Sequence, residues 1–136
     1  MKNYIALIAV TLMLNGCTTV MVTYNQSQDE LRNSPEKFGG KEEVSIPMDT
    51  ILHNTYLTTK HCKDFPNYVY SPDKKYLTAS IMYMGWTAPA YQIVIDIAAL
   101  NSGAEIKYWG QNDQMKDRAR GWIEQIKNPD SCKVSR

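Results

Sequence analysis

Hydrophobic and polar positions alternate along this chain with two periods, and each change of period marks an element. From Lys75 to Met84 the period is two. Leu77, Ala79, Ile81 and Tyr83 fall on one face, and Tyr76, Thr78, Ser80, Met82 and Met84 on the other. The same alternation returns in Tyr91–Ala98, where Ile93, Ile95 and Ile97 oppose Gln92, Val94 and Asp96, and again in Ala104–Trp109. Period two is the mark of a half-buried strand. A loop through Gly85-Trp86 and a turn at Asn101-Ser102-Gly103 would join these three strands as an antiparallel meander. Briefer alternation at Val44 and Ile46, and at Tyr68–Tyr70, predicts two short strands more.

Helical spacing appears twice. Met48, Ile51, Leu52, Thr55, Tyr56, Thr59 and Cys62 recur at three- and four-residue steps, which predicts a helix with that stripe inward. Pro47 suits an early helical position, with Ser45 as its cap. The Thr and Asn content makes this helix weak by itself, so packing must hold it. A second stripe, Met115, Ala119, Trp122, Ile123 and Ile126, predicts a helix capped by Asn112 or Asp113 and stopped by Asn128-Pro129. The expected fold is α+β: an antiparallel sheet of three to five strands with two helices packed on one face, in the order β-α-β-β-β-α.

The N-terminus follows neither pattern. Lys2 precedes Ile5–Leu14, a run that is apolar except for Thr11. A membrane-spanning helix needs about 20 apolar residues, so this run is too short to span and suits the apolar region of an export signal. It closes on Leu14-Asn15-Gly16-Cys17, which resembles a bacterial lipobox. Asn15 departs from the small residue usual at that position. The resemblance implies a signal peptide at 1–16, cleavage before Cys17, and a diacylglycerol on the Cys17 thiol, with acylation of the freed amine. Thr18, where inner-membrane lipoproteins of this kind carry Asp, implies the outer membrane, at its periplasmic face. Residues 17–40 are polar beyond Tyr24 and include Pro35 and Gly39-Gly40, which suits a tether; 41–136 would form the single folded domain.

Cys62 and Cys132 remain once Cys17 carries lipid. Export places them in an oxidising compartment, where a disulfide between them would persist. Free or intermolecular thiols are the alternative. Redox or metal chemistry finds no C-x-x-C, and His61 beside Cys62 falls short of a four-ligand zinc site.

Composition narrows the function classes. Fifteen basic side chains face 14 acidic ones in 136 residues. Lys2 is the only charged residue in the leader, so the mature chain is balanced. A balanced chain gives no electrostatic reason to expect nucleic acid as partner. No G-x-S-x-G, H-E-x-x-H, P-loop or G-x-G-x-x-G occurs. His53 and His61, the two histidines, lie eight apart on one predicted helix, where surface positions are the ordinary reading. Asp96 faces away from the three isoleucines and reads as a solvated carboxylate. No cofactor is expected. Tyr83, Trp86, Tyr91, Tyr108 and Trp109 cluster around the meander, and Trp86, Tyr91 and Trp109 are the candidate partner-binding residues. The expectation is a non-enzymatic envelope lipoprotein, held to the membrane by the lipid on Cys17, that contacts another envelope protein. The alternative is a carrier or sensor for a small apolar ligand held between sheet and helices.

Overall fold

The computed structural model describes residues 27–62, 66–84 and 89–134. The leader, Cys17, residues 18–26 and Trp86 lie outside the described residues.

Five strands form one antiparallel sheet: β1 Phe38–Val44, β2 Asn67–Tyr70, β3 Tyr76–Met84, β4 Pro89–Leu100 and β5 Gly103–Gly110. Their order across the sheet is β1-β5-β4-β3-β2. The meander β3-β4-β5 lies at the centre as the alternation predicts, with Leu77 opposite Ile97 and Ile95 opposite Tyr108. Among the described residues three helices accompany it: α1 Gln28–Arg32, α2 Met48–His61 and α3 Asp113–Lys127. Short 3-10 segments cover Pro35–Lys37 and Pro129–Val134.

One face of the sheet carries the main core. Leu77, Ala79, Ile93, Ile95, Ile97 and Ile106 pack against Met48 and Ile51 of α2 and Ala119, Trp122, Ile123 and Ile126 of α3. The α3 stripe is the predicted one, with Met115 partly buried at its start. Its cap is Asn112, whose side chain accepts from the Met115 backbone N–H at 3.0 Å. In α2 the inward stripe is shifted. Met48, Ile51, Thr55 and Thr58 are buried, whereas Tyr56 is 53% exposed. The two buried threonines return their hydroxyls to carbonyls one turn back, Thr55 to Ile51 and Thr58 to Asn54, both at 2.8 Å. That satisfies the polar atom and leaves the methyl to pack. Tyr56, with a larger apolar body but a hydroxyl to place, takes the solvent side. Pro47, rather than Ser45, is the N-cap, and no side chain caps this helix.

The expected tether is folded over much of its length. Residues 27–40 form α1, a 3-10 turn and the start of β1, so the folded domain begins no later than Ser27. β1 is also longer than Val44 and Ile46 suggested, because Gly39-Gly40 is strand rather than linker. A Cβ on Gly39 would stand 2.2 Å from Tyr108 Cε2, so only glycine lets the Tyr108 ring lie across the strand.

Candidate functional site

The second face of the sheet is closed locally by α1. Ser27 caps that helix with a reciprocal pair of bonds: its hydroxyl accepts from the Glu30 backbone N–H, and its own N–H donates to the Glu30 carboxylate at 2.8 Å. Leu31 then inserts against Val94, Trp109 and Tyr91. Next to it Arg32 donates to both oxygens of Asp96, at 2.7 and 2.8 Å, and Thr78 donates to the same carboxylate at 2.8 Å. The guanidinium of Arg32 is raised above its ordinary value, chiefly by the hydrogen bond to Asp96, against the opposing effect of burial. Asp96 is therefore clamped under α1, which corrects the reading of it as a solvated carboxylate. The signal was present in the sequence: Ser27-x-x-Glu30 ahead of Leu31 is a capping box.

The expected site residues separate in the structure. Trp109 is 8% exposed, and its ring centroid lies 5.7 Å from that of Phe38. It holds α1 to the sheet and is not a surface for a partner. Tyr91 is half-buried beside it. Tyr108 belongs to the main core. Tyr83 is exposed. Cys62 caps the C-terminal end of α2 and is disulfide-bonded. Cys132 lies in the Pro129–Val134 segment, which packs against α2, but its side chain lies outside the described residues. His53 and His61 are both exposed. Among the described residues no group of three or more His, Cys, Asp or Glu could hold a metal ion. No described helix is long and apolar enough to cross a membrane.

What α1 leaves uncovered is the β2 side of the sheet. On β1, the opposite edge, the strand is lined with charge at Lys41, Glu42 and Glu43; Lys41 pairs with Glu105 of β5 at 2.5 Å, and within β5 Lys107 pairs with the same carboxylate at 2.6 Å. These bonds, that from Lys107 first, hold the Glu105 carboxyl below its usual range. Charges on an outermost strand discourage a further strand from adding. β2, Asn67-Tyr68-Val69-Tyr70, has none. Val69 is 74% exposed, Tyr70 51%, and Tyr76 of the adjoining hairpin 61%. The pairing of Val69 with Thr78 and of Tyr76 with Ala98 puts Val69 and Tyr76 on the α1 face, beyond the reach of that helix.

A second uncovered region lies at the far end of β3. β2 pairs with Leu77 to Ser80 only, so Ile81–Met84 have β4 on one side and no strand on the other among the described residues. Met82, Tyr83 and Met84 there are all exposed.

Comparison with protein families, with characterised proteins and with solved structures finds no match to this chain.

Proposed function

We propose that this protein is an envelope lipoprotein, held to the outer membrane by lipid on Cys17, whose domain docks another envelope protein without doing chemistry on it. The lipobox-like Leu14–Cys17 supports the address. The observation that carries the docking is the bare edge of β2. Among the described residues it presents strand backbone with no further strand beside it, with Val69, Tyr70 and Tyr76 around it and no charge on the strand itself. Such an edge accepts an added strand: main-chain hydrogen bonds supply affinity, and alternate side chains supply selectivity. On this reading Cys62 and Cys132 form a structural bond that ties the end of α2 to the chain beyond α3.

A photo-crosslinking amino acid placed at Val69 in living cells tests the docking. The expected product is a discrete adduct with one envelope protein, absent when the probe stands at the exposed Gln114 on α3, and lost when Tyr70→Lys charges the edge. The absence of any adduct from 69, 70 and 76 alike rejects this surface. The address has its own arm: Cys17→Ser is expected to abolish metabolic palmitate labelling, and undiminished labelling rejects the anchor.

A further inference from the structure

We infer that the occupant of the β2 edge is a second copy of this chain, joined β2 to β2 about a two-fold axis at Val69. This rests on the edge docking proposed above and names its partner.

The hydrogen-bond phase of the strand decides which residues an added strand can reach. Antiparallel neighbours alternate between pairs that exchange hydrogen bonds and pairs that do not. Ser71 N–H donates to the Tyr76 carbonyl at 2.8 Å, so the exchanging pairs of this hairpin continue at Val69–Thr78 and Asn67–Ser80. The other side of β3 agrees. Ala99 N–H donates to the Lys75 carbonyl at 2.8 Å, which turns Leu77 and Ala79 toward β4 and leaves Thr78 and Ser80 for β2. Tyr68 and Tyr70 are therefore the β2 residues whose N–H and C=O turn away from the sheet.

Proline closes this window at both ends. Pro66 and Pro72 continue the same alternation on either side of Tyr68 and Tyr70, and neither has an N–H to offer. The two prolines stand equally far from Val69 along the chain. A second β2 laid antiparallel about Val69 sets Tyr68 of each copy against Tyr70 of the other. Every outward N–H of the strand then meets an outward carbonyl, and at the ends proline faces proline, where no donor is left over. The neighbouring registers would call on the carbonyl of Pro66 or of Pro72, outside the strand. Val69, 74% exposed in the single chain, meets its own counterpart at the axis. Like charges directly opposite would oppose such a pairing, and β2 has none.

The other edge sets the size of the assembly. Once two β2 strands join, both outer edges of the continuous sheet are β1, where Lys41, Glu42 and Glu43 discourage a further strand. A contact between identical surfaces thus closes at two copies instead of growing into a fibre. Four residues a side make a small interface, so the dimer is a reversible one and its test traps it covalently.

The test uses the full-length protein in cells. Val69→Cys is expected to form a disulfide-linked dimer on mild oxidation, because residues opposed at the axis have Cα atoms about 4.5 Å apart, within disulfide range. Asn67→Cys, also exposed, should form several-fold less, since its two copies lie about 13 Å apart along the strands. With a photo-crosslinker at Tyr70, Val69→Lys alone and Val69→Glu alone should each lose the self-adduct, and the two variants co-expressed should regain it. Equal dimer from 67 and 69 means random collision and overturns the inference, as does a mixture of Lys and Glu variants that crosslinks no better than either alone. A crosslink from Tyr70 to a different protein, with no self-adduct, overturns the second copy and leaves edge docking standing. No adduct of any kind rejects the docking, and this inference with it.

Discussion

Asp96 shows how one side chain can close a face of a sheet. Alternation alone turns it away from the isoleucines and suggests water as its neighbour. The fold instead brings Arg32 across from α1, in a two-bond contact that also recruits Thr78. The Asp96 and Arg32 side chains keep 30% and 26% exposure, so solvent screens part of the attraction. Asp96→Ala is expected to lower the free energy of unfolding by about 1–2 kcal/mol, measured by urea titration, because it removes both bonds from Arg32 to the sheet carboxylate and leaves the guanidinium to Asp29 and Thr78. A change no larger than that of an exposed ion pair would show that α1 is held by Leu31 alone. Asp96 itself was legible as a residue on the outer face. Its partner was not, because 64 residues separate the two, and nothing local records a contact at that range.

Each helix is stabilised differently, and the sequence revealed them unequally. α3 was legible almost residue for residue, since its apolar stripe, Asn cap and Asn-Pro stop are local signals that agree. Its one discordant residue is Gly121, where an added Cβ meets nothing within 4 Å. Gly121→Ala is expected to raise stability by about 0.5–1 kcal/mol, by removing backbone freedom from the unfolded chain; a thermal melt that shifts downward would show the glycine serves some other purpose. α2 was legible as a helix but rotated in its detail, because threonines that bond back to their own helix bury better than a tyrosine would. α1, five residues long, is far too short to be stable alone. Its capping box gives it a start, and the burial of Leu31 keeps it. Polar composition around it hid the element within an expected tether.

At the scale of the molecule, a sheet of five strands has a closed core on one face, a partial cover on the other, and two edges of opposite character. The far end of the chain is tied back. α2 ends at Cys62 and packs against the segment that contains Cys132. A bond between these two closes a loop of about 70 residues, worth about 4 kcal/mol in the chain-entropy model. Cys62→Ser is expected to lose about that much. Adding reductant to the natural protein should reproduce the variant's melt, and peptide mapping without reductant should recover the 62–132 pair; a melt indifferent to reductant rejects the bridge. The sequence by itself determined the class of the fold, the meander, the shared face of Ile93, Ile95 and Ile97 and the line of α3, because strand and helix periods are set by backbone geometry within a few residues. Tertiary structure alone decided that Trp109 is core rather than surface, that Asp96 is clamped, that Gly39 must stay bare under Tyr108, and that, among the described residues, apolar side chains stand exposed along β2 and at the end of β3. Whether an apolar residue is buried depends on what the rest of the chain lays over it, and that covering is fixed by contacts many residues apart.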